Sequence, residues 1–388
     1  MDLLIRKPNK NRVNLFDFAV WIIIAIGLFN TSTYGASFSW IITPSALLFI
    51  GIILQGGKIR LQLIHILAIL FWMVCILSTL ISPVVSVQRD LITSALFTVL
   101  FILATGSECT INRARRFIFA YMLVAFVGVV VILINWIRGV YYNPWFQRST
   151  ITFMGVNRDP NYAAAFLAPL PLLLLLYKSL RRDQKASIIR IICFCLTVLG
   201  LIVTGSRGAM LSAFIPVMLY LILNVKNQRK KVLVFICMVI VLVIAYLFVI
   251  NFLPQQTIDR LFVIQKGDVR LELWKAALKG FYNNPIIGQG IGAGSYYSNA
   301  LVGIHSHNMY IDILSSTGLV GALLYFSLVL KCAFGSGRIN YNIGLLCIAF
   351  FLPMFFINGF NTLTMWIPIC MIYYCNIYFT DEHKHLTT

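Results

Sequence analysis

The chain has 388 residues, of which 60% are hydrophobic and 11% are charged. Soluble domains contain roughly 45–50% apolar and about 25% charged residues, so this composition excludes a water-soluble fold, and it also excludes disordered, collagen-like and disulfide-rich secreted proteins. A formal net charge of +19 would suggest nucleic-acid binding in a soluble protein. Here the placement of the charges indicates a membrane protein without a nucleic-acid partner.

Apolar stretches predict about twelve transmembrane helices, judged against the about 20 residues that cross a hydrocarbon core of ~30 Å. In chain order the predicted spans are 15–34, 38–54, 61–81, 91–105, 117–137, 162–177, 188–204, 209–223, 232–253, 309–330, 343–357 and 363–379. We therefore predict an all-α integral membrane protein, a polytopic bundle in which residues 1–388 form one transmembrane domain.

The Lys and Arg residues near the span ends predict the orientation. The N-terminal arm, alternate connections and the C-terminal tail hold 21 of the 31 basic residues. Because cytoplasmic loops are enriched in Lys and Arg, we predict both termini in the cytoplasm. The other ten are predicted outside, against this bias: Arg89, Arg138, Arg148, Arg158, Arg207, Arg260, Lys266, Arg270, Lys275 and Lys279. We interpret Arg89, Arg138 and Arg260 as solvated loop charges and the others as candidates for function.

The longest predicted extracytoplasmic loop is 254–308, between the ninth and tenth spans. It predicts one short amphipathic helix with Asp268 as N-cap and an end at Asn284-Pro285. Its apolar stripe comprises Leu271, Trp274, Leu278 and Phe281. Such a helix lies at the membrane interface or caps a cavity, or it is a packed lid without chemistry.

Three alternating glycines, Gly288, Gly290 and Gly292, follow in the same loop. Backbone N–H groups of such a stretch can approach a phosphate closely. The spacing fits neither a Walker nor a dinucleotide-binding motif, so a turn that re-enters the membrane explains it equally well.

Two histidines, His305 and His307, precede the tenth span together with Asn308. No third ligand has familiar spacing, so no metal site is predicted. A neutral imidazole at His307 suits a general base, and the alternative is an interfacial histidine bonded to a carbonyl. Asp312 lies inside the span, where a carboxylate is a functional candidate. It either orients His307 or bonds to a neighbouring helix, and we favour the second role.

Two further polar motifs lie at helix boundaries. Arg207, in Thr204-Gly205-Ser206-Arg207-Gly208, offers a fork of donors to a phosphate, unless it only reaches toward lipid headgroups. In Asn157-Arg158-Asp159-Pro160-Asn161, Asp159 can cap the sixth span and Pro160 suits its first turn. For Asp159 and Asn161 we favour capping over catalysis.

Together these motifs resemble the O-antigen ligase and Wzy-type O-antigen polymerase family of bacterial envelope glycosyltransferases. The resemblance covers about the second half of the chain. It rests on Asp159-Pro160-Asn161-Tyr162-Ala163, Thr204-Gly205-Ser206-Arg207-Gly208, Arg270-x-x-x-Trp274, Asn284-Pro285-Ile286-Ile287-Gly288-x-Gly290-x-Gly292, His307-Asn308-x-Tyr310 and Gly318-Leu319-Val320-Gly321.

The resemblance implies glycan transfer from a polyprenyl diphosphate carrier on the outer face of the bacterial inner membrane, without cofactor or metal. Arg207 and Arg270 would bind the diphosphate and His307 would act on the acceptor hydroxyl. Arg158, Asp159, Asn161, Gly288, Gly290, Gly292, Asn308 and Asp312 would support them. The implied partners are the lipid-linked glycan donor, a glycan or lipid-linked acceptor, membrane lipid, a flippase and a chain-length regulator.

Several functions remain open. A repeat-unit polymerase and an O-antigen ligase share the donor and differ in the acceptor. We favour the polymerase, for O-antigen or capsular polysaccharide, because nothing marks a site for lipid A core. A protein O-glycan ligase is a third variant of this chemistry. A secondary transporter is less consistent with the sequence because the spans hold few ionisable residues, and a structural scaffold gives no reason for the outward arginines.

Overall fold

The structure is a computed structural model that describes residues 14–29, 38–54, 59–84, 88–107, 109–142, 147–153, 156–177, 184–225, 227–262, 269–302, 305–335, 340–358, 360 and 362–386. The described part is built almost entirely of α-helices. In chain order they are α1 (Leu15–Phe29), α2 (Phe38–Leu54), α3 (Leu63–Leu80), α4 (Gln88–Gly106), α5 (Ile111–Ile137), α6 (Pro160–Leu167), α7 (Leu170–Leu176), α8 (Gln184–Val203), α9 (Arg207–Asn224), α10 (Gln228–Phe252), α11 (Gln255–Phe262), α12 (Arg270–Ala277), α13 (Lys279–Asn283), α14 (Ala293–Val302), α15 (Met309–Phe334), α16 (Tyr341–Phe351) and α17 (Leu363–Leu386).

Among the described residues, five helices are long and apolar enough to cross a membrane: Leu63–Leu80, Ile111–Ile137, Arg207–Asn224, Met309–Phe334 and Leu363–Thr380. Each of the twelve predicted spans overlaps a helix, but the count of twelve is not confirmed because several of these helices are shorter. Helix α15 packs against α3 and α17, and α5 packs against α1, α8 and α17. The protein is therefore a helical membrane protein with α5, α15 and α17 at its centre.

The predicted tenth span is not one continuous helix, because α15 breaks at Gly318. This residue has φ 61° and ψ −162°, which no α-helix accommodates. The break frees the carbonyls of Ser315 and Ser316, and these accept hydrogen bonds of 2.9 and 3.0 Å from the N–H groups of Gln289 and Gly290. Backbone polar groups at membrane depth need such protein partners, so the glycine-containing loop makes the break tolerable.

A second pair of hydrogen bonds joins the same loop to the residues that follow Gly318. The N–H groups of Leu319 and Val320 donate to the carbonyls of Pro285 and Ile286 at 2.9 and 3.1 Å. Residues 285–290 therefore lie along the broken turn of α15 and bond to both sides of it. The glycine motif and the Gly318 motif are parts of one packing unit.

The residues of 254–308 that the structure describes form four short helices, α11 to α14, where the sequence predicted one amphipathic helix. The predicted helix is divided at Leu278 into α12 and α13, although its end at Asn283 agrees with the prediction. Asp268, the predicted N-cap, lies outside the described residues.

The predicted apolar stripe is only partly buried in the protein, with Trp274, Leu278 and Phe281 half-buried. Leu271 is 63% exposed, whereas the buried positions are Leu273, Ala276, Ala277 and Gly280. The small residues face α14 and α15, because close helix packing in this segment depends on short side chains rather than on the large apolar ones.

Candidate active site at one end of the bundle

The connection between α5 and α6 folds into a small hairpin that enters the bundle. Strands β1 (Thr152–Phe153) and β2 (Val156–Asn157) pair antiparallel. Just before them, Ser149 donates its hydroxyl to the carbonyl of Ile132 in α5 at 2.7 Å, and its N–H donates to Val203 in α8 at 3.1 Å. These bonds hold residues 147–150 between the ends of α5 and α8.

Arg148 is buried at the base of this hairpin, with 4% of its surface exposed. Its Nε donates to the carbonyl of Thr204 at 2.6 Å, and its Nη2 donates to Oδ1 of Asn161 at 2.9 Å. Burial, together with the positive charges of Arg260 and Arg270, lowers the pKa of Arg148 to about 9, although the charge of Asp159 acts in the opposite direction. The side chain therefore connects the turn before α9 to the start of α6 and lies near two other arginines.

Helix α11 brings Arg260 to this region. Thr257 is buried and donates its hydroxyl to the carbonyl of Gln147 at 3.0 Å. Arg260 follows Thr257 by three residues and is on the same helical face. Its charge lowers the pKa values of both Arg148 and His307. From the sequence, Arg260 was interpreted as a solvated loop charge, and the structure shows it half-buried in α11, with its charge acting on two residues of the site.

Trp274 connects α12 to the residues before α15. Its indole Nε1 donates to the carbonyl of Ser306 at 3.0 Å. Arg270 lies one helical turn earlier at the start of α12, and its charge acts on His307 and on Arg148. Trp274 is thus bonded to the segment that contains His307, and Arg270, one turn earlier in the same helix, lies close enough for its charge to act on His307.

The backbone around His307 is held by its two neighbours. The Ser306 hydroxyl donates to Oδ1 of Asp312 at 2.9 Å and accepts from the N–H of Asn308 at 3.3 Å. Oδ1 of Asn308 caps α15 by accepting from the N–H groups of Tyr310 and Ile311 at 3.0 and 3.2 Å. Between them His307 has φ 50°, a left-handed conformation that only a constrained non-glycine residue keeps.

Asp312 therefore takes neither of its two predicted roles directly. Its carboxylate bonds to Ser306, within the same segment, rather than to His307 or to a neighbouring long helix. Through Ser306 it fixes the residue adjacent to the histidine.

Electrostatic effects act on His307 from several elements. Burial is the main cause that lowers its pKa below the ordinary value. The charge of Asp159 raises the pKa, while Arg270, His305 and Arg260 lower it. The net direction is downward, so the imidazole is neutral, and able to accept a proton, over a wider pH range than an isolated histidine.

Arg207 has a different environment. It is the first residue of α9, its side chain is exposed, and it makes no side-chain hydrogen bond or ion pair with the described residues. It lies three residues after Thr204, the carbonyl that Arg148 bonds. Arg207 is thus close in sequence to a bonded partner of Arg148, whereas the charge of Arg270 acts directly on His307.

The motif at the start of α6 divides into three separate roles. Asp159 caps α6 by accepting from the N–H of Asn161 at 2.7 Å, and Pro160 occupies the first turn, as the sequence predicted. Asn161 is not a cap, since its side chain accepts from Arg148. Arg158 is buried and donates to the carbonyls of Gly27, at 2.7 Å, and Leu28, at the end of α1. Arg158 thus satisfies the last turn of a neighbouring helix.

The N–H groups of the three loop glycines donate hydrogen bonds to acceptors in the protein. Gly288 donates to Asn284 at 2.9 Å, Gly290 to the Ser78 hydroxyl at 2.7 Å, and Gly292 to the Ser316 hydroxyl at 3.3 Å. Because these N–H groups already have acceptors in the protein, the loop packs against its neighbours and is poorly suited to cradle a phosphate.

The arrangement offers anion binding beside a proton acceptor. The charges of Arg260 and Arg270 act on both Arg148 and His307. Among the described residues, His, Cys, Asp and Glu side chains form no group of three that could hold a metal ion. From the sequence, Arg148 was counted among the outward basic residues that are candidates for function, but no motif assigned it to this site. The signal for it was its place among the outward basic residues, next to a polar run, Gln147-Arg148-Ser149-Thr150.

Residues 191–326, about a third of the chain, match the family described as O-Antigen ligase. No curated protein matches the chain significantly. The family match supports glycan transfer of the O-antigen ligase or polymerase type in general. It confirms that this chain resembles the O-antigen ligase family over the stretch that carries Arg207, Arg270 and His307.

Proposed function

We propose that this protein transfers glycan from a polyprenyl diphosphate carrier on the outer face of the bacterial cytoplasmic membrane. The repeat-unit polymerase is the form we favour, with a second lipid-linked repeat unit as acceptor. The observation that carries the proposal is the 3.0 Å bond from Trp274 to Ser306, which ties the helix of Arg270 to the segment of His307. The match of residues 191–326 to the O-antigen ligase family supports it independently.

In the proposed reaction the acceptor hydroxyl oxygen attacks the anomeric carbon of the donor sugar. The bond from that carbon to the diphosphate oxygen breaks, and its electron pair leaves with the polyprenyl diphosphate. The hydroxyl proton passes to the imidazole of His307 and then to water. One displacement of this kind inverts the anomeric configuration.

Arg270 and Arg207 are proposed to stabilise the leaving diphosphate. Guanidinium groups suit this task because they present several donors in a fixed plane and keep their charge. Donors placed where negative charge develops act more strongly at a poorly hydrated boundary than in water. The electrostatic coupling of Arg270 with His307 is consistent with both groups acting on one substrate.

Deletion of the gene followed by analysis of surface glycan tests the proposal. Single-repeat products indicate a lost polymerase, whereas long chains left on the carrier lipid indicate a lost ligase. The deletion strain is then complemented with His307→Asn, Arg270→Gln and Arg207→Gln, and with Lys279→Gln as a control for an exposed charge of the same segment. Membrane levels are checked for each. Wild-type glycan in all three site variants contradicts the mechanism, and a deletion without any glycan phenotype contradicts the function.

A further inference from the structure

The anion site is larger than the two arginines of the sequence motifs, and this inference rests on the proposed function. Arg148 is a buried cation whose only side-chain partners among the described residues are uncharged, namely the Thr204 carbonyl and the Asn161 amide. A guanidinium has five N–H donors. Two serve these partners, and the other three have no protein acceptor in the part of the chain that the structure describes.

A buried arginine without a bonded carboxylate is costly, because burial removes the water that would solvate its charge. Positive charges nearby add to that cost. Arg260 and Arg270 both act on Arg148 and oppose its charged form, whereas the charge of Asp159, which is not bonded to the guanidinium, favours it. Such an arrangement is stabilised when an anion with several oxygens enters.

The N-terminus of α9 also favours the binding of an anion next to Arg148. Ser206, its N-cap, makes no side-chain hydrogen bond to the first turn. The positive end of this 18-residue helix follows directly on Thr204 and Gly205, next to the Arg148 side chain. A Cβ at Gly205 would lie 3.4 Å from Nε of Arg148 and 3.3 Å from the Thr257 methyl group. The absence of a side chain at Gly205 thus keeps α11, the turn and Arg148 close together.

We propose that Arg148 and Arg260 bind the diphosphate group of the lipid-linked donor together with Arg270. In this site Arg148 contacts the diphosphate with the donors that Thr204 and Asn161 leave unused. Arg260 contacts it from α11. The hairpin before α6 and helix α11 thereby become parts of the donor site, although the hairpin lies outside the matched family segment.

The test measures binding of farnesyl diphosphate to the full-length protein in lipid nanodiscs, with farnesyl monophosphate as a second probe. Loss of a charge-assisted contact predicts that Arg148→Gln and Arg260→Gln each raise the Kd for the diphosphate about tenfold or more. The monophosphate should bind more weakly than the diphosphate to the wild type. Arg138→Gln removes an exposed charge at the end of α5 and should change the Kd less than about twofold.

Arg148→Gln also breaks two structural bonds, so a second variant is needed that keeps the fold. Asn161→Asp places a carboxylate 2.9 Å from Nη2 of Arg148. This ion pair competes with the ligand for the guanidinium. We expect an unchanged or higher Tm together with diphosphate binding weakened about tenfold. If Arg148 has only a structural role, the Tm changes in the same way but the affinity for the diphosphate is unchanged.

The outcomes separate this inference from the proposed function. Wild-type affinity in folded Asn161→Asp and Arg260→Gln variants overturns the extended site, as does a wild type that binds neither probe. A protein that binds the diphosphate through these residues while its deletion leaves surface glycan unchanged counts against glycan transfer and retains the site.

Discussion

The indole N–H of Trp274 donates a 3.0 Å hydrogen bond to the carbonyl of Ser306, the residue before His307. Ser306 in turn bonds to Asp312 in α15 through its hydroxyl. Helix α12 and helix α15 are therefore both attached to the residue adjacent to the proposed base. Because Arg270 is one turn from Trp274, this indole contributes to fixing the distance between Arg270, a proposed ligand of the diphosphate, and the proposed base.

Trp274→Phe tests that dependence, because phenylalanine keeps an aromatic ring and removes the donor. A neutral hydrogen bond contributes about 1 kcal/mol, so the fold should survive with a Tm lowered by a few degrees. Glycan transfer should fall by more than the loss of folded protein, because Arg270 and His307 are no longer held together. Turnover per folded molecule measures this. Trp136→Phe, at the end of α5 against Phe248, is the matched control. Equal turnover in the two variants contradicts the positioning role.

His307 combines an unusual backbone with a reactive side chain, and substitution can separate the two. Asparagine tolerates the left-handed region better than alanine does, so His307→Asn should melt at a higher temperature than His307→Ala. Both lack the imidazole and should lose glycan transfer by roughly 10²–10⁴-fold. Thermal melting in detergent and turnover of lipid-linked glycan measure the two effects. If His307→Asn turns over at the wild-type rate, the imidazole is not the base.

The pH dependence of transfer follows from the charges around His307. The base must be neutral, so activity is lost as the pH falls through the pKa of His307, which burial lowers. Arg260→Gln removes a positive charge that lowers this pKa further. The pKa should therefore rise, and the acid limb of kcat/KM should move to higher pH. Lys279→Gln, an exposed charge on the same segment, should leave the limb in place. A shift of the Arg260→Gln limb to lower pH would contradict the assignment.

Local features of this site could be predicted from sequence, and long-range ones could not. The cap at Asp159 and the helix end at Asn283 depend on neighbouring residues, and both predictions were confirmed. Arg148 bonds to Thr204, which is 56 residues away, so no local pattern reveals that contact. Arg260 was interpreted as a solvated loop charge because no local pattern reveals its long-range contacts either. Its position follows from Thr257, which contacts a distant backbone carbonyl.

The glycine loop shows a further limit of sequence patterns. Alternating glycines fit a phosphate-binding turn and a close backbone contact equally well, because both require a missing Cβ. The break of α15 at Gly318 favours close contact in this structure, since the N–H groups at Gln289 and Gly290 bond to the carbonyls it frees. Hydropathy over the whole span gives no sign of that break, because apolar residues continue on both sides of the short polar run Ser315-Ser316-Thr317.

Gly288 gives the sharpest test of this packing unit. It has φ 72°, and a Cβ would lie 2.4 Å from the carbonyl carbon of Ser316 and 2.5 Å from the nitrogen of Thr317. Backbone atoms cannot move aside as a flexible side chain can, so Gly288→Ala should separate the loop from α15 and lower membrane levels of folded protein severely. Gly292→Ala meets no atom within 4 Å, but its φ of 94° should still cost about 1–3 kcal/mol.

Gly344→Ala is the matched control, since it also meets no atom within 4 Å and lies in α16. It should be neutral or stabilise the protein by up to about 1 kcal/mol, because alanine is the better helix former. Thermal melting of the three purified variants should therefore rank Gly344→Ala above Gly292→Ala and Gly292→Ala above Gly288→Ala. A Gly288→Ala protein that melts like the wild type would mean that residues 285–290 do not bond along the broken turn of α15.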